Sequence, residues 1–261
     1  GYFIKNYMRG IKPPYSGIIN NSFFNEGMGC PIRSEIWGII SVGNPKLASE
    51  YAYMDATLDH SANSVYAEQF LAVIESMAFF ENNIKRLSDI GLSYIPNNSK
   101  LYACTNKVIG LYDSGKDWIY ARNSILNEFG HPDFTNVVQN MGIIIIALLY
   151  GECDMEKTIN ICLKCGYDTD CTCASASAII GIIKGYSRLG ELTSLIKDYF
   201  ICGIDVDRQS DSIKALALDT CRVALLAPND EVEIEGQDRP ENFSGFLLEY
   251  ATKEGLNKAL H

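Results

Sequence analysis

The chain has 261 residues, of which 47% are hydrophobic and 21% charged, and its formal net charge is −10. These proportions are those of a globular protein with a sizeable core, so they exclude a disordered chain as the default. The acidic balance disfavours nucleic acid or an anionic membrane as the main partner, because both attract basic surfaces. We therefore expect no nucleic-acid partner and no membrane partner, whereas a small anionic ligand would need only a locally basic pocket.

Nine cysteines are scattered along the chain. A chain of this length and hydrophobic content does not need disulfides to hold a core, and the number of cysteines is odd. No signal peptide is visible, and the longest apolar run, residues 141–150, is too short to span a bilayer. We therefore expect reduced thiols, a cytoplasmic location and a buried helix over the apolar run. The oligomeric state stays open.

Hydrophobic residues recur at helical spacing along most of the chain. The clearest helix is predicted over residues 64–80, where one face carries Tyr66, Phe70, Val73, Met77 and Phe80. Further helical patterns cover residues 46–55, 87–98, 99–112, 116–129, 155–164, 211–226 and 242–260, while residues 230–238 are a strand or a loop. The sequence therefore predicts an all-α fold: a single compact multi-helix domain over residues 1–226, followed by an extension over residues 227–261 to which no role is assigned.

The most informative segment is residues 166–173, which read Gly-Tyr-Asp-Thr-Asp-Cys-Thr-Cys at the entrance to a helix. Asp168 and Asp170 could supply the oxygen ligands that Mg²⁺ and Mn²⁺ prefer. Aspartate and threonine also commonly cap a helix N-terminus, so spacing alone favours a cap over a cation site. A smooth face for close packing of another helix is predicted from the small residues that follow: Ala174, Ala178, Gly181 and Gly185.

Four cysteines lie in or near this motif: Cys162, Cys165, Cys171 and Cys173. A CxxC pair followed by a CxC pair suggests a zinc or iron–sulfur site. The interval between the pairs is shorter than in zinc ribbons, and cysteine is an ordinary buried residue near the end of an amphipathic helix. A structural zinc module is therefore a third interpretation, beside the cation site and the cap.

Two upstream segments carry further candidate binding residues. The first is the loop Gly27-Met28-Gly29-Cys30, whose glycines would let backbone N–H groups approach a phosphate closely; a plain surface loop is the alternative. The second is Asp59-His60, just before the strongest helix. His60 could bind a ligand or act as an acid or base, although a lone histidine at a helix start is more often structural.

Taken in order, these segments resemble the ADP-ribosylglycohydrolase family, which includes dinitrogenase reductase-activating glycohydrolase, the ADP-ribosylhydrolases and J1-crystallin. The resemblance covers about residues 1–226 and is greatest to the bacterial branch whose late motif reads Gly-x-Asp-Thr-Asp-Cys. It is carried by residues 27–33, 55–60, 63–66 and 166–171.

The resemblance implies an all-α domain of the ADP-ribosylglycohydrolase type that binds two Mg²⁺ or Mn²⁺ ions. It implies that Asp168 and Asp170 are metal ligands and catalytic residues, and that Cys171 is a ligand where the family usually has Thr or Ser. The substrate-binding residues implied are Gly27, Met28, Gly29, Cys30, His60 and Tyr66. The cations would activate a water and help an acidic protein to hold a pyrophosphate.

The chain also departs from the family pattern. The family has an early Thr-Asp-Asp motif that supplies the other half of the metal cage, and this motif would lie upstream of Gly1. We therefore expect the N-terminal part to be missing from this chain, and activity to depend on that upstream motif. Glu35, Ser64, Thr172 and Ser177 stand where the branch favours other residues.

Two functions follow from the resemblance. The first is a metal-dependent hydrolase of ADP-ribosyl or related N-glycosyl bonds. The alternative is a non-catalytic protein of the same fold with a binding or structural role. In either case the expected partner is an ADP-ribose-containing or nucleoside-like small ligand, or an ADP-ribosylated protein. The sequence does not identify the group from which ADP-ribose would be removed.

Overall fold

A computed structural model describes residues 1–202 and 210–227 of the chain. Within them the chain forms α-helices and three short 3₁₀ segments, and no strand. The α-helices are α1 (Tyr2–Met8), α2 (Tyr15–Ile18), α3 (Ser34–Ile40), α4 (Pro45–Ala56), α5 (Asn63–Met77), α6 (Ile84–Ser93), α7 (Lys100–Asp113), α8 (Trp118–Phe129), α9 (Val137–Tyr150), α10 (Met155–Cys165), α11 (Thr169–Lys184) and α12 (Ile213–Leu226). The 3₁₀ segments are Pro31–Arg33, Tyr186–Arg188 and Gly190–Leu195. The all-α prediction is confirmed. The patterns predicted over residues 230–238 and 242–260 lie outside the described residues.

Helix α9 lies at the centre of the main hydrophobic core. Its consecutive isoleucines, residues 143–146, are fully buried, and α5, α7, α8, α10 and α11 pack around it. Gly142 allows a close approach, because a Cβ there would lie 2.6 Å from Ile125 Cδ1 and 2.8 Å from Cys104 Sγ. Each large aliphatic side chain buried in this way contributes about 2 kcal/mol. The helix predicted over the apolar run is confirmed. Among the described helices, none combines the length and the apolar character that a membrane span requires.

Helix α5 is the second central element, and it joins the core to the N-terminal helices. Both α3 and α4 pack on it. The contact with α4 is built from small buried residues, Ala48 and Ala52 facing Ala72, which let the two helix backbones come close. The contact with α3 is equally tight at Gly38, where a Cβ would lie 2.5 Å from Glu75 Cβ. The α3–α5 contact therefore encloses the Glu75 side chain.

Local signals set several helix boundaries. Asn44 caps α4, because its Oδ1 accepts the N–H of Leu47 at 3.0 Å, and Pro45 occupies the first turn. Gly166, with φ of +78°, follows the last residue of α10. Helix α5 ends at Met77, earlier than its apolar pattern predicts.

The predicted packing face of α11 is wrong. Ala174 is exposed, and a Cβ added at Gly181 or Gly185 would meet nothing within 4 Å in the described structure. The buried face instead carries Thr172, Ser175, Ala176, Ile179 and Ile180. The isoleucines remove more apolar surface from water than alanine or glycine can, so they determine which side of the helix faces the core.

Candidate functional site

The acidic motif forms a sharp turn between α10 and α11. Gly166 and Tyr167 both have positive φ, +78° and +65°, so the chain reverses direction within two residues. Arg122 on α8 supports this turn: its Nε donates to the carbonyl of Cys165 at 2.8 Å, and its guanidinium lies 5.9 Å from the centroid of the Tyr167 ring. Asp168 follows at the N-terminus of α11 and is buried.

Three potential metal ligands converge at this turn. One carboxylate oxygen of Asp168, one of Asp170 and the Sγ of Cys171 lie within 4.8 Å of one another. Among the described residues, this is the group in which at least three Asp, Glu, Cys or His side chains lie close enough together to hold one cation. The three residues that the resemblance implies as metal ligands are therefore close together in space.

Asp168 occupies the N-cap position of α11. Its carboxylate forms no well-formed capping hydrogen bond, although the backbone N–H of Cys171 interacts with it and lowers its pKa. Burial raises the pKa of the Asp168 carboxyl; the Cys171 thiol offsets part of this effect, and the nearby Asp170 carboxylate adds to it. The side-chain cap that spacing alone favours is thus at most a weak one.

The donor set fits a divalent cation in part. Two closely spaced carboxylates are suited to Mg²⁺ or Mn²⁺, and a cation between them would relieve their repulsion. The Cys171 thiol is a softer ligand that suits zinc-like ions better. Three ligands are fewer than the six oxygens that Mg²⁺ prefers, so water or further groups would have to complete the sphere.

The loop Gly27-Met28-Gly29-Cys30 is held on two sides. Gly27 forms an antiparallel bridge with Asn136, the Met28 N–H donates to the Thr135 carbonyl at 2.9 Å, and Ser64 Oγ donates to the Gly27 carbonyl at 2.9 Å. Gly29 is exposed, and within the described residues its N–H donates to no acceptor. The loop is thus a fixed element in which the N–H of the exposed Gly29 is open to a ligand.

His60 lies beside this loop. Its Nδ1 is 2.7 Å from Asp59 Oδ1, and a Cβ built at Gly29 would lie 3.6 Å from its Nε2. The Asp59 carboxylate also accepts hydrogen bonds from both terminal nitrogens of Arg33, at 3.0 and 3.2 Å. Burial alone would raise the pKa of Asp59, but the hydrogen bonds from His60 and Arg33 outweigh it and hold that pKa at about 2. Asp59 therefore stays ionised and orients the imidazole.

Sequence reasoning missed a buried acid beneath this cluster. Glu68 on α5 is fully buried; its Oε2 lies 2.9 Å from Cys30 Sγ and 3.7 Å from Arg33 Nη2. The pKa of Glu68 is raised to about 9, mainly by burial. The hydrogen bond from Cys30 lowers this pKa, and repulsion from Asp55 raises it further. Burial and Glu68 also raise the pKa of the Cys30 thiol. Cys30 is thus a buried donor that anchors the loop, and its thiol faces α5.

A second buried acid lies about two helical turns further along α5. Glu75 is fully buried; its Oε1 accepts the hydroxyl of Ser34 at 3.0 Å, and its pKa is raised well above the ordinary value by burial and by Glu35. Glu35 itself has a pKa raised by burial, and its Oε1 accepts Ser175 Oγ of α11 at 3.5 Å. Glu68 and Glu75 were not recognised from the sequence, because the hydrophobic periodicity of α5 does not show that an acid occupies a core-facing position.

The two halves of the candidate site lie in one region. Helix α11 packs against both α5 and the Pro31–Arg33 segment that follows the loop. Tyr66, also implied as a pocket residue, lies on α5 half-buried against the main core. The structure therefore brings the implied metal ligands and the implied ligand-binding loop together, although they are far apart in sequence.

The zinc module is not supported. Cys171 belongs to the group with Asp168 and Asp170, whereas Cys162 Sγ lies 3.6 Å from the Thr172 carbonyl and Cys173 Sγ lies 3.9 Å from the Ile159 carbonyl. The cysteines of the described residues form no disulfide with one another. Among these residues the four candidate thiols do not converge on one point.

One of the three comparisons with known proteins gives a match. The family model for ADP-ribosylglycohydrolase matches residues 2–224, which include the loop, His60, Glu68 and the acidic turn. No curated protein and no solved structure matches the chain at a significant level. Because the family model covers most of the 261 residues, the chain belongs to the ADP-ribosylglycohydrolase family.

Proposed function

We propose that this protein is a divalent-cation-dependent hydrolase of ADP-ribosyl or related N-glycosyl bonds. The observation that carries the proposal is the convergence of Asp168, Asp170 and Cys171 within 4.8 Å at the turn before α11. Two carboxylates close together are suited to a cation. Family membership supports glycosyl-bond chemistry.

Each part of the site would have its own role. Asp168, Asp170 and Cys171 would hold the cation, which when bound supplies Lewis acidity for activating water and polarising ribose hydroxyls. The exposed Gly29 N–H would donate to a phosphate oxygen of the ligand. His60, with Nδ1 oriented by Asp59, would direct Nε2 towards the ligand beside Gly29.

The charges around the loop match this role. Arg33 follows the loop closely in sequence, but Asp59 and Asp55 already engage it, with Asp55 Oδ2 3.0 Å from Arg33 Nε. A pyrophosphate would therefore gain little from Arg33 and would depend on backbone donors and on the cation. Ligand binding should therefore require the cation. The same requirement would hold for a non-catalytic protein, so cation-dependent binding without turnover would indicate that alternative.

The test is the release of ADP-ribose from ADP-ribosylated arginine in the presence of Mn²⁺, with the full-length protein. Asp170→Ala is expected to abolish turnover, and Asp89→Ala, an exposed aspartate on α6, is expected to keep the wild-type rate. A wild-type rate in Asp170→Ala would show that the proposed mechanism is wrong. If the wild type binds ADP-ribose in a Mn²⁺-dependent manner without turnover, the non-catalytic alternative is the better description.

A further inference from the structure

Asn140 on α9 is a fully buried amide whose hydrogen bonds reach both halves of the candidate site. Its Oδ1 accepts the backbone N–H of Asp168 at 3.2 Å. Its Nδ2 donates to the carbonyls of Phe134 at 2.8 Å and Asn136 at 2.9 Å. One side chain therefore uses its acceptor on the acidic turn and its two N–H donors on the segment that precedes α9.

That segment is the one that supports the ligand-binding loop. Asn136 forms the bridge with Gly27, the neighbouring Thr135 carbonyl accepts the Met28 N–H, and the Val137 N–H donates to the Glu26 carbonyl at 2.9 Å. The path from the acidic turn to the loop thus runs through the Asn140 side chain, the backbone of residues 134–136 and the bridge between Asn136 and Gly27. Side chains of this kind, buried and fully hydrogen-bonded, hold a single arrangement because leaving a donor unpaired in the core is costly.

We propose that Asn140 is a positioning residue that couples the cation-binding turn to the ligand-binding loop. This inference rests on the proposed function, since it assigns the two ends of the bridge to a cation and to an ADP-ribosyl ligand. Asn140 fixes the Asp168 backbone at one end and the 134–136 segment at the other. A cation that orders the turn therefore also orders the loop, and the site is assembled as one unit.

The chain offers a matched control in the preceding residue. Gln139 is also fully buried on α9; its Nε2 donates to the Asp133 carbonyl at 2.8 Å, and its Oε1 accepts the His131 N–H at 2.7 Å. Gln139 thus supports the same polar segment from the same helix without reaching Asp168. Asn140→Leu and Gln139→Met each remove the hydrogen bonds and keep a side chain of similar length, and Asn140→Ser serves if the larger leucine does not allow folding.

The experiment is amide-resolved hydrogen exchange on the full chain, without added metal and then with Mn²⁺ as the probe. Without metal, Asn140→Leu is expected to speed exchange at the Asp168 amide by about tenfold, with faster exchange also at Met28, while Gln139→Met leaves the Asp168 amide as in the wild type. With Mn²⁺, slower exchange at the turn is expected to extend to Met28 in the wild type and to stop at the turn in Asn140→Leu.

The outcomes separate the two claims. If the Asp168 amide exchanges equally fast in the wild type and in Asn140→Leu, or is accelerated as much by Gln139→Met, the coupling role of Asn140 is overturned. If Mn²⁺ changes no amide between residues 168 and 171 in the wild type, the proposed cation site fails, and the metal-free comparison still decides whether Asn140 joins the two segments.

Discussion

Arg33 and Asp59 form a two-pronged ion pair, with Nη1 3.2 Å from Oδ2 and Nη2 3.0 Å from Oδ1. The same carboxylate holds His60 Nδ1 at 2.7 Å. A single aspartate thus fixes both the guanidinium below the loop and the imidazole beside it.

This pair predicts a loss of stability in acid. Asp59 has a pKa of about 2 in the folded protein, below its ordinary value of 3.8, so its contribution is present above about pH 4 and is lost as the pH falls towards 2. Asp59→Asn is expected to lower the free energy of unfolding at pH 6 by about 1 kcal/mol, a figure reduced because the side chain is more than a third exposed.

Urea denaturation at pH 6, 4 and 2.5 measures this effect. The difference between the wild type and Asp59→Asn should shrink as the pH falls, whereas Asp89→Asn, at an exposed position, should follow the wild type throughout. A difference that stays constant down to pH 2.5 would contradict the assignment of Asp59.

Glu68 predicts the opposite dependence at higher pH. Its pKa is about 9 in the folded protein against 4.5 ordinarily, so the folded state retains a proton that the unfolded state has lost between these values. Stability should therefore fall as the pH rises from about 5 to 9, by at most about 1.4 kcal/mol per pH unit for this one proton.

Glu68→Gln keeps the shape of the side chain and removes the titration. Its free energy of unfolding, measured in urea at pH 5.5, 7 and 8.5, should decline less steeply than that of the wild type. Glu50→Gln, on an exposed position of α4, should keep the wild-type slope. Equal slopes for the wild type and Glu68→Gln would show that Glu68 is ionised in the folded protein.

Two helical glycines should respond in opposite directions to alanine. Gly142→Ala places a methyl group 2.6 Å from Ile125 Cδ1 in the core and should cost about 1–3 kcal/mol through overpacking. Gly110 is exposed inside α7 and a Cβ there meets nothing within 4 Å in the described structure, so Gly110→Ala should gain about 0.5–1 kcal/mol. Thermal unfolding of the two variants measures both signs, and stabilisation by Gly142→Ala would contradict the packing around α9.

The fold was largely accessible from sequence because its signals are local. The helical patterns over residues 46–55 and 155–164 correspond to α4, which Asn44-Pro45 starts, and α10, which Gly166 ends, and the isoleucine run forms the buried α9. These features depend on a few neighbouring residues, so no tertiary contact is needed to recognise them. Helix α11 was different: its packing face depends on which side meets α5 and α9, and spacing of small residues does not encode that.

The candidate site was accessible only in part. The acidic turn, the loop and His60 were found through their motifs, whereas Glu68 and Asn140 were not. Glu68 lies within an apolar stripe, and Asn140 lies just before an apolar run, so neither stands out by composition. Their roles arise from long-range contacts, with Cys30 for Glu68 and with the Asp168 backbone for Asn140.

Cys171 should influence which cation the turn prefers. A thiol is a soft ligand, so the wild type should bind Cd²⁺ more tightly relative to Mg²⁺ than a site with oxygen ligands alone. Cys171→Ser replaces the sulfur by a hydroxyl oxygen and should weaken Cd²⁺ binding by about tenfold while Mg²⁺ binding changes little. Calorimetric titration with each ion measures the ratio. Cys173→Ser, in which a neighbouring thiol outside the ligand group is replaced, should leave that ratio unchanged.

The most direct test of the central claim is a Mn²⁺ titration followed by electron paramagnetic resonance of the free ion. The account predicts that the wild type removes Mn²⁺ from solution saturably, that Asp170→Asn weakens this binding by at least about tenfold because one of two carboxylates is lost, and that Asp89→Asn binds like the wild type. Equal Mn²⁺ affinity in the wild type and Asp170→Asn would contradict a cation site at this turn.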